Sequence, residues 1–403
     1  MNRPRNVLLL QGPSSLFFAK LGKALRHQGA DVSRVMFCPG DALYWRQAYG
    51  STIPFRGRAN DWPIFLTKLV NAKSVTDIVC LGDTRWQHRD VIKLLAGTSV
   101  KVHVIEHGYL RPGWMTVEEG GIGPNSPLPR NRAKIIESAD GLNDLVASNL
   151  SASFLEYAML DIGYHLANLV TGWLRYPHFS RHALDHPVKE WAGWIRRFAR
   201  VGTTRKYTTQ TLTRLSEKPF FLVPLQLETD FQIRMHGPDG GQLPHSVKVI
   251  NSFAQHAAIN DHLLFKMHPL DNGWTPWAET ISKAACEAGV DTRVHFVEGG
   301  DLNTILDQTR GVLVVNSTVG LEAIAKGVPV WMSGDAVYRV DGLIDGHALK
   351  DFWINPQPPE SELAHAFLRM LKHDAMLPGG FDGSGATVGA KNLADRITGK
   401  GQA

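Results

Sequence analysis

Five short segments of this sequence concentrate side chains able to do chemistry. Asn316-Ser317-Thr318-Val319-Gly320 follows the apolar run Gly311–Val315 and opens a helical pattern over Val319–Lys326. Hydroxyls beside free backbone N–H groups at the positive end of a helix suit a phosphate. An ordinary helix cap would use the same residue types. Lys266-Met267-His268-Pro269-Leu270-Asp271 lies at the end of the run Leu263–Met267. A histidine there can donate to a phosphate oxygen or act as an acid, or be purely structural, and Lys266 adds a cation. Gln226-Leu227-Glu228-Thr229-Asp230 follows Phe220–Pro224 and offers two carboxylates, either of which could be a base, a nucleophile or a turn cap. The stretch from Glu106 to Glu118 holds Glu106, His107, Tyr109, Arg111 and Glu118 among turn-forming Gly and Pro, a density that predicts a substrate site. Gln11-Gly12-Pro13-Ser14-Ser15 follows Val7–Leu10 but is neither a GxGxxG fingerprint nor a P-loop, which counts against a dehydrogenase or an ATPase. No HExxH or paired Cys/His set occurs, so neither a metal nor a cofactor is expected.

Those segments need strand ends to hold them. Val7–Leu10, Val32–Phe37, Ile78–Leu81 and Val100–Ile105 read as buried strands, with a helix over Leu16–Gln28 that stops at Gly29. The alternation restarts with strands Phe220–Pro224, Leu263–Met267, Val294–Val297, Gly311–Val315 and Val328–Trp331, separated by helical patterns. Strand, polar turn and helix in repetition predict an α/β chain with two Rossmann-like domains facing a cleft. The expected boundaries are 1–205, with a helical insert from Glu137 to Arg200, then 206–375, then a Gly-rich and partly mobile tail, 376–403. The polar stretch Val201–Lys218 reads as an inter-domain connection. Ligands of such sheets bind outside the carboxyl ends of the strands, where the five segments fall.

Composition agrees with a globular chain. Of 403 residues, 43 are Lys or Arg and 38 are Asp or Glu, giving a net charge of +5; 43% are hydrophobic and 20% charged. That excludes a disordered chain, a collagen and a coiled coil. Cys38, Cys80 and Cys286 are far apart and form no disulfide set, pointing to a reducing compartment. The N-terminal apolar core is too short for a signal peptide. Leu155–Leu174 comes nearest to a membrane span, but Glu156, Asp161, His165 and Asn168 interrupt it, so a cytoplasmic protein is expected. Basic residues crowd Met1–Asn60 and Arg181–Phe220, which suits an anionic partner (a membrane surface, an anionic substrate or nucleic acid) or simply a solvated face. No nucleic-acid signature accompanies them, and no nucleic-acid partner is expected.

Taken together, LLLQGPSSLFFAKLGKAL, FCPGDALYW, EHGYLRPGWMTVEEGG, PLQLETDFQIRMHG, FKMHPLDNGW and VVNSTVGLEAIAKGVPVWMSGDAVY resemble the capsule polysaccharide biosynthesis and export family. The resemblance runs over most of the chain. It implies a bacterial glycosyltransferase of GT-B architecture that transfers Kdo, an eight-carbon acidic sugar, from CMP-β-Kdo with retention. A single module of this length resembles the type that places the first Kdo on a lysophosphatidylglycerol anchor. This implies peripheral attachment to the cytoplasmic face of the inner membrane and other capsule biosynthesis or export proteins as partners. The first domain would face the acceptor and the second would bind the donor. Asp230 matches the family's proposed nucleophile, with Glu106 and Glu118 as acid/base candidates. His268, Pro269, Lys266, Asn316, Ser317, Thr318 and Glu322 would hold CMP, Glu322 reaching the ribose. Gln226, Arg111, His107, Tyr109 and Gln11 would contact substrate, Arg111 or Lys266 meeting the sugar carboxylate. The chain departs from the family pattern at His236-Gly237, where Ser after His is expected. A UDP-sugar transferase or epimerase of similar build, and a non-catalytic component of an export complex, are the competing readings.

Overall fold

The computed structural model describes residues 4–147, 150, 154–180, 186–228 and 241–400. The chain forms two compact α/β units: Met1–Leu128 with Leu142–His182 and Arg369–Ala403, and Pro129–Gly141 with Ala183–Leu368.

The first unit holds β1 (Asn6–Leu9), β2 (Asp31–Met36), β3 (Ser51–Pro54), β4 (Asp77–Leu81), β5 (Lys101–His107), β6 (Trp114–Glu119) and β12 (Met376–Pro378). They lie in the order β12-β6-β5-β4-β1-β2-β3. β1 to β5 run parallel, while β6 is antiparallel to both β5 and β12. β1 is a continuous apolar run because both of its faces are covered. Val7 and Leu9 pack with Phe17, Leu21 and Leu25, and Leu8 packs with Phe37, Trp62 and Leu66 on the opposite side.

The second unit is a parallel sheet of β7 (Phe220–Pro224), β8 (His262–Lys266), β9 (Val294–Val297), β10 (Gly311–Val314) and β11 (Val330–Met332) in the order β11-β10-β7-β8-β9. In both units the first strand sits centrally, between the second and the fourth, which is the doubly wound Rossmann order.

Three local expectations are corrected. The segment after residue 375 is not a mobile tail. It supplies β12 and a helix over Gly383–Thr398; Phe381 just before that helix and Leu393 and Ile397 on it are buried in the first unit's core. Its glycines serve close packing: a Cβ on Gly379 would run into Gly389 Cα, and one on Gly389 would press on Met115 Sδ. The stretch Val201–Lys218 is not a linker either, because most of it continues the helix Pro187–Leu215. Its β-branched threonines lower helix propensity. Here Thr208 and Thr211 are buried, and the Thr204 and Thr209 hydroxyls donate to carbonyls one turn back. Finally, the strand expected to end at Ile105 extends to His107 and turns back through Gly108–Gly113 into β6, so the Glu106–Glu118 segment belongs to a hairpin.

Among the described residues no helix is long and apolar enough to cross a membrane. The basic N-terminal segment is partly engaged internally: Arg34 is buried against Asp41, Arg5 reaches Asp77, and Lys20 bonds Thr387.

Candidate functional site

In the second unit the switch point of the sheet lies between β7 and β10. Gln226, buried just beyond β7, donates through Nε2 to Asn316 Oδ1 (2.9 Å), and the Asn316 backbone N–H donates to Gln226 Oε1 (3.4 Å). The Gln226 N–H in turn donates to Gln242 Oε1 (2.8 Å). One amide pair therefore ties together the two loops that flank the switch point. Next to Asn316, the Ser317 hydroxyl accepts from the Val319 N–H (3.3 Å), and the Ser317 carbonyl accepts from the Tyr338 hydroxyl. Gly320 makes that approach possible, since a Cβ there would collide with the Tyr338 hydroxyl. The Thr318 side chain forms no cap bond, and Glu322 is half-buried in the first turn of the helix that follows.

Lys266 closes β8 with 7% of its surface exposed and no hydrogen-bond acceptor among the described residues. Burial pushes its ammonium below the usual lysine value; Asp301 and Glu322 oppose that shift, while Arg197 adds to it. Asp301 and Glu322 only partly offset the burial of this cation, and an anionic ligand would offset more of it. Two residues on, the Leu270 N–H donates to His268 Nδ1 (3.1 Å). With Nδ1 accepting, the neutral ring carries its proton on Nε2, the tautomer that a phosphate acceptor needs. Arg197, on the helix Pro187–Leu215, fixes this loop by donating to the carbonyls of Pro269 (2.6 Å) and Asp271. The Asp271 carboxylate accepts from the Gly273 N–H (2.7 Å) and Trp277 Nε1 (2.9 Å).

A sequence profile of the family described as capsule polysaccharide biosynthesis protein matches residues 76–381, well over half of the chain. The chain belongs to this family. It is 29% identical over 369 residues to the capsule polysaccharide modification protein LipB of Neisseria meningitidis serogroup A, covering 90% of this chain and 88% of LipB. It is 28% identical over 370 residues to the capsule polysaccharide export protein KpsS of Escherichia coli, covering 90% of this chain and 93% of KpsS. Among solved structures it matches the Thermosulfurimonas dismutans KpsC β-Kdo 2,7 transferase with a TM-score of 0.42 and 16% identity, over 90% of this chain and 89% of that one.

The first unit of this family member gathers the remaining candidates in two places. On the β5–β6 hairpin, Glu106 pairs across from Thr116, and Glu118 lies two residues further along on the same face. Tyr109 donates its hydroxyl proton to Glu118 Oε1 (2.6 Å) and accepts from the Gly123 N–H (2.6 Å), while Ser126 donates to Glu118 Oε2. Both Glu118 oxygens are thus engaged by neighbours, and burial raises its carboxyl and the Tyr109 phenol above their usual values. This pair locks the hairpin to the segment 123–126. Glu106 is less enclosed; one oxygen accepts from the His107 N–H (3.0 Å). The His107 ring meets Phe381 edge-on at 5.0 Å, and Arg111 Nε donates to the Gly108 carbonyl (3.2 Å).

Gln11 heads the second cluster. Its Oε1 accepts from Arg85 (3.0 Å) and Gln87 (2.6 Å), and its Nε2 donates to the Tyr164 hydroxyl (3.2 Å). Tyr164 donates to Asp41 (3.1 Å), beside Cys38, whose thiol burial pushes far up. Asp230 and His236-Gly237 lie outside the described residues. Glu228 is described: its carboxylate accepts from the Gln242 N–H (3.2 Å to each oxygen) and caps the helix Gln242–His256. Among the described residues no three His, Cys, Asp or Glu side chains group as metal ligands.

Sequence reasoning missed Arg197, Gln242, Tyr338 and Tyr164, whose partners are remote in the chain. It also missed His245, which is buried with Nε2 against the Ser333 hydroxyl (3.2 Å). Burial, aided by Lys248, lowers the His245 pKa from 6.5 to about 4. The unfolded state then binds more protons between those values, so stability falls as pH drops from about 6.5 towards 4. His245→Gln is expected to flatten the pH dependence of urea unfolding in that window by up to roughly 1.4 kcal/mol per pH unit. An unchanged slope would show that His245 titrates normally.

Proposed function

We propose that this protein is a retaining glycosyltransferase of capsule assembly. It moves Kdo from CMP-β-Kdo to a lysophosphatidylglycerol-type lipid at the cytoplasmic face of the inner membrane. The observation that carries the donor half is the largely buried Lys266, which bonds no acceptor among the described residues, beside His268, whose Nδ1 accepts from the Leu270 N–H, at the strand ends next to the Gln226–Asn316 clamp. Family membership supports capsule chemistry, and the identity of the sugar and the lipid follows from the sequence resemblance.

In this reading His268 Nε2–H and the Ser317 and Thr318 hydroxyls hold the single phosphate of CMP. Lys266 offsets its charge, and Glu322 faces the ribose. Fixed donors and a cation stabilise the departing CMP. The Asp230 carboxylate forms a bond to the anomeric carbon as the bond to CMP breaks. An acceptor hydroxyl then displaces Asp230, its proton passing to a base, for which the partly exposed Glu106 is the candidate.

Two measurements test this. CMP-Kdo generated in situ with a fluorescent lysolipid should give a product heavier by one Kdo; no product under those conditions overturns catalysis and favours an export component. His268→Ala and Ser317→Ala should each weaken CMP binding by about 1.5–3 kcal/mol in calorimetry, the usual loss of a hydrogen bond to a charged group. Unchanged affinity in both variants would remove the donor site from this edge of the sheet.

A further inference from the structure

The helix Phe154–Arg175 in the first unit is built inside out. Its polar residues face the protein. Asp161 accepts from the Ser14 hydroxyl (2.6 Å), Asn168 accepts from the Gly40 N–H (2.7 Å), and Tyr164 is buried against Asp41. Tyr44 donates to the Leu160 carbonyl (2.6 Å) from the same side. The opposite face is bare. Every exposed position from Leu155 to Leu174 carries a large apolar side chain. Leu155, Met159, Ile162, Leu166, Leu169 and Trp173 recur at the helical repeat with exposures from 43% to 73%. An ordinary surface helix shows the reverse pattern. The stripe runs about 27 Å at 1.5 Å per residue, and the exposed Leu43 adjoins it beside Gly163. Two of the residues that interrupt Leu155–Leu174 as a membrane span, Asp161 and Asn168, are thus among those that dock it on the protein.

The far end of the stripe is basic. Arg175 is exposed at the helix terminus, and Arg56, also exposed, lies over the ring of the next residue, Tyr176 (5.9 Å). An apolar stripe carrying a tryptophan and edged by arginines matches a helix that lies in the plane of an anionic bilayer. We propose that this face is the membrane-docking surface, resting flat on anionic lipid with its apolar side chains sunk below the headgroups. The inference rests on the functional reading above, which puts the acceptor in a membrane, and names the element that meets it.

The test is flotation of the full-length protein with vesicles of phosphatidylethanolamine and phosphatidylglycerol, and with phosphatidylcholine alone. The parent should float with the anionic vesicles, and high salt should weaken but not abolish this. Met159→Glu/Trp173→Glu, with an unchanged circular dichroism spectrum, should bind at least roughly tenfold less, since both apolar burial and charge would be opposed. If the double variant does not fold, Trp173→Ser takes its place and should still show reduced binding. Equal flotation of a folded variant and parent, or none by the parent, overturns the proposal. So does a parent dimer in light scattering that the substitutions split without altering flotation, which would make a second copy the occupant. Transfer to a short-chain, water-soluble lysolipid separates this from the catalytic reading. A variant that no longer floats but still transfers supports docking, whereas stripe-dependent flotation without transfer by either protein retains docking and removes the transferase.

Discussion

Asp230→Asn is expected to bind CMP as the parent does and to lose transfer by roughly a thousandfold or more, as removal of a covalent nucleophile does. The fold should be unchanged by circular dichroism. Glu228, the neighbouring carboxylate, is engaged at the start of the helix Gln242–His256. Glu118 has one oxygen bonded by Tyr109 of its own hairpin and the other by Ser126. In the proposed mechanism the nucleophile is Asp230, the second carboxylate of QLETD, the sequence that follows β7. Incubation with donor alone, followed by intact mass and peptide mapping, should show one Kdo on the peptide containing Asp230. Substantial transfer by Asp230→Asn, or an adduct mapped to Glu228, would show that the nucleophile is another residue.

The second large effect concerns the C-terminus. A chain ending at Pro378 should lose the cooperative unfolding of the first unit and become insoluble. Phe381, Leu393 and Ile397 are at most 3% exposed in the core shared with Phe17, Leu21 and Leu25. Truncating one such side chain costs about 2–5 kcal/mol, and removing several exceeds the roughly 5–15 kcal/mol that holds a domain together. Leu393→Ala is the gentler version, measured by urea unfolding. A soluble 1–378 chain with an unchanged midpoint would mean that the helix Gly383–Thr398 is an ornament on a complete core.

The sequence patterns that survived are those in which one element states its own burial. β1, β4, β7, β8 and β10 are covered on both faces, so they appear as short apolar runs wherever they are read. The strand-end positions of Gln226, His268 and Ser317 were legible for the same reason. What failed depends on contacts between remote segments. Glycines at 379, 385 and 389 resemble a flexible tail until the partner that needs their missing side chains is known. The threonines of Val201–Leu215 suggest a linker until burial of Thr208 and Thr211 outweighs propensity. The short edge strand β3 is mostly exposed and has no apolar signal. In the site, Arg197 acts from a helix more than seventy residues before the loop that it fixes. The two sheets also share a device that neither motif alone suggested. Gln11 and Gln226 each follow the first strand of their sheet, and each side chain bridges to the loop after the fourth.

The last helix also constrains the order of synthesis. Segments 183–368 emerge from the ribosome before the helix Gly383–Thr398 exists, whereas the core of the first unit is incomplete until that helix is released. At about 5–20 residues per second, β1 to β6 wait many seconds with part of one face uncovered. The usual N-terminal-first sequence of domain folding is therefore reversed: the second unit can close on the nascent chain before the first, which waits for that helix to emerge. A stalled or prematurely ended message would leave the second unit folded beside an exposed apolar sheet face, the species most apt to recruit a chaperone or a protease.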